Sequence, residues 1–473
     1  MERFMGWMEE NFLPIAAKIG SQKHLVAVRD AFIGIMPITM VGSVAVLLNV
    51  FLRDLPGAAE MTGFVETMQP IIGVNGKVWF GSIAILALVF VFSLGYNVAK
   101  AYDVNPLAGG VVAFASYMVT LPEATNFTAT IAGVGADAFD KLTALGVEGI
   151  EVLNNAEGVA EGIGMAVGQW GNINLAYTGA AALFSTLIVG LFATLIYAKL
   201  MEKNVTIKLP DTVPSAVSNA FAAIIPGVVA VYATAIVGIL AVNATGVAIP
   251  DLITKYVQAP LLGLSQSAFS VVITVFFVQL FWFFGLHGSN VLAPILDGVY
   301  VVALNENTAA YELAKSAADL PHLWTKSSFD AYTNLGGSGM TLALIIAIIV
   351  FSKRDDQRTI AKLGAPMGVF NINEPITFGM PIVLNPIYAI PWIIIPPIMT
   401  IIAYTLTAMG VIPPTFVQVP WVMPAGVLAF LATGGNFLAA LVALMNLFIA
   451  FLIWTPFVLL ANRAQDIDTD KED

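Results

Sequence analysis

Apolar runs free of Asp, Glu, Lys and Arg recur along the chain: Ala31 to Leu52, Val78 to Ala99, Val104 to Pro122, Asn172 to Ala198, Thr212 to Pro250, Tyr256 to Leu296 and Ala331 to Ser352. A last stretch, Leu363 to Asn462, is interrupted by one charge, Glu374. A bilayer core about 30 Å thick takes about 20 apolar residues per helix, so the longer runs divide at Pro and Gly and predict roughly eight to ten crossings. Residues 1–30, with Arg3, Lys18, Lys23 and Arg29, read as an amphipathic start on the cytoplasmic side. Residues 31–242 read as plain spans joined by polar loops. From 243 to 462, polar and helix-breaking residues are set inside apolar sequence: GLHGSN at 285–290, NLGGSG at 334–339, NINEP at 371–375 and ATGGN at 432–436. Non-helical backbone at membrane depth persists where it is packed in protein or lines a wet cavity, so the second half is expected to hold a substrate path. Residues 463–473 form an acidic tail expected on the inside.

Composition agrees with a membrane protein. Of 473 residues, 58% are hydrophobic and 11% charged, against roughly 25% charged in a soluble domain. There is no Cys, which excludes disulfides, zinc-thiolate sites and cysteine nucleophiles. A net charge of -11 argues against a nucleic-acid partner. The basic residues Lys199, Lys203 and Lys208, and Lys353, Arg354, Arg358 and Lys362, mark cytoplasmic loops, whereas Glu123 to Trp170 is acidic and expected outside. There is no phosphate-binding Walker loop and no metal-spaced cluster, so neither cofactor nor metal is expected.

Two ionisable side chains carry the candidate chemistry. Glu374 is the lone charge in 363–462, and a carboxylate at the bilayer centre costs roughly 3 kcal/mol on insertion scales unless it meets water, a partner or a substrate. Pro375 disfavours helix at Glu374, which suggests the tip of a re-entrant hairpin. His287 stands alone between Lys255 and Asp297, framed by glycines, and an imidazole there can exchange a proton or steady developing negative charge. A solvated Glu at an interfacial helix end, and a His satisfied by a backbone carbonyl, are the plainer readings. Sugars stack apolar C–H faces on rings and need amide or carboxylate partners for hydroxyls, which nominates Trp282, Trp421, Asn371, Asn373 and Asn436 for substrate binding. Trp79, Trp170 and Trp454 read as interfacial anchors. An ion-coupled secondary transporter with Glu374 and His287 as proton-coupling residues fits composition and hydropathy equally well.

The phrases GLHGSNVLAPILD, FNINEPITFGMPIVLNP, DTVPSAV, GGSG and LATGG together resemble the membrane-embedded IIC component of the bacterial phosphoenolpyruvate-dependent sugar phosphotransferase system, in its lactose/cellobiose/chitobiose family. The resemblance covers nearly the whole chain. It implies an all-α membrane protein of about ten transmembrane helices with two re-entrant hairpins in the C-terminal half. It also implies a homodimer through the first half, and a bacterial inner-membrane location with both termini cytoplasmic. Its catalytic pair falls on His287 and Glu374. A family P-W-T-T-P-P phrase corresponds to Pro420 to Ala425 with three of six positions changed, which bears on the identity of the disaccharide. Its phosphoryl donor is a phosphocysteine on a IIB component; without a Cys here, that donor is expected on a separate polypeptide.

Overall fold

The computed structural model describes residues 22–132, 141–144, 150–154, 160–170, 173–210, 212–380, 382–383 and 385–469. The amphipathic start up to residue 21 and the final residues 470–473 therefore lie outside the described residues, as do Asp211 and part of the acidic loop. In chain order the helices of the first half are α1 (Lys23–Asn49, continuing as a π turn through Val50–Asp54), α2 (Thr62–Phe80), α3 (Leu86–Ala101), α4 (Pro106–Met118), α5 (Leu183–Glu202) and α6 (Ile224–Thr245). The second half follows with α7 (Ile249–Ser265), α8 (Ala268–Phe283), α9 (Val302–Ala314), α10 (Lys326–Tyr332), α11 (Thr341–Phe351) and α12 (Asp355–Val369). It closes with α13 (Glu374–Gly379), α14 (Pro386–Ala408), α15 (Val427–Ala432) and α16 (Phe437–Thr469).

Among the described residues six helices are long and apolar enough to cross a membrane, and α7 with α8, bent by 76°, is a broken span or a re-entrant pair. The membrane part is thus helical as expected. The acidic loop departs from the all-α expectation. Ala124–Ala132 (β1), Ile150–Asn154 (β2) and Ala160–Trp170 (β3) form an antiparallel sheet in the order β1-β3-β2, with Ala124 paired to Trp170 and Ile150 to Met165. Outside a bilayer a segment is free to satisfy its backbone across strands, a solution closed to an open sheet in lipid.

Among the described residues two large apolar cores, and a small third one around Tyr197 of α5 and Ala230 of α6, hold the helices together. Of the large two, one gathers α1, α3, α4 and α5 around Phe90, Leu94 and Tyr117. The other gathers α8, α10, α11, α14 and α16 around Trp324, Trp392 and Trp454. The division is not a clean cut: Ile253 and Leu262 of α7 pack in the first core, and Val46 and Val50 of α1 pack in the second. Trp454 is fully buried and donates Nε1–H to Gly339 O at 3.1 Å, so it is a core residue and not the interfacial anchor its sequence position suggested. α3 and α4 meet through glycine, since a Cβ on Gly109 would lie 2.4 Å from Ala99 Cβ and 2.8 Å from Gly95 O. Without a hydrophobic drive between helices in lipid, such close backbone approach supplies the packing energy.

Gly109→Val is expected to lower stability by about 1–3 kcal/mol through overpacking. Gly76→Ala, at a position with nothing within 4 Å, is expected to leave it unchanged. Thermal unfolding of the detergent-solubilised protein reads both, and equal melting temperatures for the two variants would refute the close-contact account.

Candidate functional site

Three of the four interruptions in the second half converge with the turn at Trp421, and the fourth, ATGGN, lies at a different cavity. The first follows α8, where Gly285 has φ +80° and a Cβ on Gly288 would lie 2.0 Å from Val278 O. Only glycine lets the chain fold back this closely, and the fold-back sets His287 at the N-cap of the one-turn helix Gly288–Val291. His287 Nδ1 accepts from Asn290 N–H at 3.2 Å. In the neutral ring the proton therefore sits on Nε2, the nitrogen left to donate. The Trp282 ring packs on the imidazole at a centroid distance of 4.4 Å. Trp282 is buried and holds His287; the exposed group at this site is the imidazole.

The second interruption, NLGGSG, carries positive φ at Gly336, Gly337 and Gly339. Gly339 N–H donates to Gln279 Oε1 at 2.8 Å, which ties it to α8. The third is the turn between α12 and α13. Asn371 adopts φ +63°, a left-handed conformation that Asn tolerates better than most residues. Its Oδ1 accepts from Gly336 N–H at 2.7 Å, and its Nδ2 donates to Trp421 O at 2.7 Å and Met423 O at 2.9 Å. The Trp421 to Met423 segment so gripped is the turn they meet.

Both outer legs return to where they began. Tyr388 at the start of α14 donates its hydroxyl to Gln357 Oε1 of α12 at 3.2 Å, so 355–388 goes out and back with Asn371 and Glu374 at its turn. Phe416 and Val417 N–H both donate to Ala432 O, so the stretch between α14 and α16 does the same with Trp421 at its turn.

Glu374 is the first residue of α13, with Pro375 at the second position. The expectation that Pro375 disfavours helix at Glu374 is overridden here, because first-turn N–H groups have no intrahelical acceptor and proline's missing donor costs nothing there. The Glu374 Oε2 atom is buried with no hydrogen-bond partner. Glu374 lies near enough to His287 to act on its imidazole electrostatically, and Phe378 of the same short helix packs 6.4 Å from Trp282. The Trp282 indole thus packs on the imidazole and near Phe378 of the short helix that begins at Glu374.

The other nominated residues divide. Asn371 is 5% exposed and both its N–H groups are already donated, so it is a structural clamp and has no donor left for a sugar hydroxyl. Asn373 is buried too; its Nδ2 donates to Thr377 Oγ1 at 3.0 Å, and Gly337 packs against it. Asn436 caps α16, its Oδ1 accepting from Ala439 N–H at 2.9 Å, and faces a different cavity. Trp421 is half-exposed and lines a cavity of about 120 Å³ together with Asp297, Lys326, Asp330 and Gln418, opposite the Phe32 to Met40 stretch of α1.

Lys326, Asp330 and Gln418 were passed over in the sequence, as was Gln279. Lys326 and Asp330 sit in an ordinary polar stretch, yet they pair at 2.6 Å and face the cavity. Gln279, the one amide in FVQLFWFF, is fully buried, and its Nε2 has no partner. A lone amide inside an apolar span was the available signal. Gln418 Oε1 and Trp282 Nε1 are also buried without partners. Of these, Gln418 lines the Trp421 cavity and Gln279 a smaller neighbouring one, and leaving each such group unpaired costs about 1–3 kcal/mol, which a polar ligand could recover. Among the described residues no group of three or more His, Cys, Asp or Glu could hold a metal.

The family model for the phosphotransferase system EIIC component matches residues 29–396. The cellobiose-specific EIIC component of Lactococcus lactis subsp. lactis (strain IL1403) is 41% identical, covering 99% of this chain and 100% of the relative. The oligo-beta-mannoside-specific EIIC component of Bacillus subtilis (strain 168) is 32% identical over 94% of this chain and 91% of its own. Among solved structures, the transporter ChbC, the IIC component of an N,N'-diacetylchitobiose-specific phosphotransferase system, superposes with a TM-score of 0.84 at 28% identity, covering 98% of this chain and 99% of that one.

Asn371→Leu is expected to strip three hydrogen bonds and cost roughly 2–5 kcal/mol of stability without any sugar present. Thermal melting in ligand-free detergent measures this. An unchanged melting temperature would return Asn371 to the list of ligand-binding residues.

Proposed function

The chain belongs to the EIIC family of the phosphotransferase system, and from that premise we propose that it carries a β-linked disaccharide of the cellobiose type across the bacterial inner membrane while a separate phosphorylated IIB protein phosphorylates it. The carrying observation is the buried, unpartnered Glu374 Oε2 within electrostatic reach of His287. A carboxylate oxygen kept dry and unpaired in an otherwise well-bonded loop cluster is poised for a hydroxyl group.

The sugar's primary hydroxyl donates to Glu374 Oε2 and its neighbouring oxygen accepts from His287 Nε2–H, with the second ring toward Trp421. The hydroxyl oxygen attacks the phosphorus of the partner's phosphocysteine. The O–P bond forms, the S–P bond breaks, the thiolate leaves, and the hydroxyl proton passes to Glu374. Alignment and charge neutralisation do most of the work in phosphoryl transfer, and one carboxylate with one imidazole supplies both. The charged product no longer fits the path by which the neutral sugar came in.

The path rests on this topology. α12 rises from the Lys353 to Arg358 loop, and its length of 15 residues puts the Asn371 to Glu374 turn about 22 Å higher, deep in a 30 Å core. We take 355–388 as one re-entrant hairpin from the cytoplasmic side and 411–436 as the other from outside, within a frame of about ten crossings, with both termini cytoplasmic by the basic loops. Residues 31–242 act as the scaffold and 243–462 as the sugar-carrying half. Apolar side chains left exposed on α6, Tyr232 and Ile239 among them, offer a face for a second copy of the chain. In this cysteine-free protein a single Tyr232→Cys substitution should cross-link in oxidised membranes, and a purely monomeric product would remove the dimer from this reading.

Membranes holding the protein are expected to form cellobiose phosphate only when phosphorylated IIB is added. Uptake driven by a proton gradient with release of unmodified sugar would overturn the reading in favour of ion-coupled transport. At saturating sugar and donor, Glu374→Gln should lower phosphotransfer about 100-fold or more and His287→Gln about 10- to 100-fold. Near-parental rates would deny each group its role. Trp421→Ala should weaken sugar binding by about 1–2 kcal/mol, and unchanged affinity would reject stacking.

A further inference from the structure

The seam between α1 and the second half holds a larger cavity that the reaction above does not use. It measures about 730 Å³ and is lined by Asp54, Tyr311, Lys315, Ile412, Phe416 and Asn436, among others. It lies at the end of the molecule remote from the basic loops. Asn436 precedes α16, while Asn462 near the helix's far end accepts from Lys353 N–H at 3.0 Å; a helical rise of 1.5 Å per residue puts roughly 38 Å between the two ends.

Charges at this cavity are already matched. Arg53 pairs with Asp54 at 2.6 Å and Glu312 at 3.7 Å, Lys315 pairs with Glu312, and the Tyr311 hydroxyl donates to Asp54 Oδ2 at 2.9 Å. Two cations and two carboxylates cancel, so an anion finds no unmatched partner. What remains is the Asn436 amide, whose Oδ1 caps α16 and whose NH2 has no partner among the described residues, beside apolar Ile412 and Phe416. Neutral donors against apolar faces suit a neutral, polyhydroxylated ligand, and the volume falls in the roughly 300–1,000 Å³ range of small-molecule sites.

The two cavities lie along one seam. α1 lines the inner one at Met36 and Thr39 and the outer one at Val50 and Asp54; α9 does so at Leu304 and then Tyr311. The stretch that bears Phe416 in the outer cavity bears Trp421 in the inner one, and five extended residues reach no further than about 17 Å. We propose that the outer cavity is a docking site that holds the incoming disaccharide before it moves along the seam to Trp421. The proposal builds on the sugar-permease reading.

Two variants test it with cellobiose in sealed vesicles supplied with phosphorylated IIB. Asn436→Asp keeps an N-cap and removes the amide donors, and Ala318→Trp fills the cavity from an exposed position on its lining. In right-side-out vesicles the cellobiose concentration for half-maximal uptake should rise at least fivefold in both variants, with the maximal rate within twofold. In inside-out vesicles, where sugar meets the cytoplasmic face, phosphorylation should be unchanged. No rise for either variant, or an equal rise in both orientations, overturns the docking site. A parental protein that forms no cellobiose phosphate in either orientation overturns the permease reading itself, which is a separate result.

Discussion

Three bonds from one amide hold the second half in its working shape. Asn371 takes Gly336 N–H on its oxygen and gives its two hydrogens to Trp421 O and Met423 O. Each partner lies on a segment that has left its helix, and such backbone can exist at membrane depth only if its polar groups are satisfied by protein. Without this clamp the NLGGSG loop, the Trp421 turn and the NINEP turn would each carry orphan groups. With it, they become one rigid floor on which Glu374 and Trp421 take fixed positions.

The clamp explains why the carboxylate can stay unsatisfied. Next to Glu374 one carbonyl gathers the local donors: Asn373 O accepts from both Ile376 and Thr377 N–H, and Thr377 Oγ1 donates to the same oxygen at 3.0 Å. The stability supplied by these bonds offsets one dry acceptor. His287 is held by a parallel device, with the Asn290 N–H on one nitrogen and the Trp282 ring on one face, so the free nitrogen has a defined direction. Positions fixed before the ligand arrives cost no reorganisation when it reacts.

Much of this was legible in the residues. A lone charge in an apolar stretch and a lone imidazole between glycines are expensive, and the expense singled out Glu374 and His287 as candidates. What could not be read was which polar groups bond to one another. Asn371 looked like a sugar ligand because its neighbours did; only the three-dimensional approach of two other loops reveals that its amide is fully engaged. Trp454 looked like an interfacial anchor from its place near a helix end, and it is core because Tyr388 and Gly339 pack on it. Lys326 and Asp330 seemed a solvated loop, since i,i+4 pairs usually are. The strands at 124–170 escaped because a class assigned to the membrane part was extended to a loop outside it.

The seam beside α1 follows from the same logic. α1 contributes Phe32 and Ile35 to the first core and Val46 and Val50 to the second, so one helix is a wall to both halves. Its two ends are held differently. At the far end Arg53 and Asp54 reach across to Glu312 and Tyr311, whereas along Thr39 to Met40 the contact with the second half is a cavity rimmed by Asp297 and the Lys326–Asp330 pair. Polar contacts can be exchanged for water or ligand at little net cost, and apolar contacts cannot. Val46 and Val50 tie α1 to the second core, and the rest of the boundary is ion pairs and cavities, the parts that water or a ligand can enter while each core keeps its own packing.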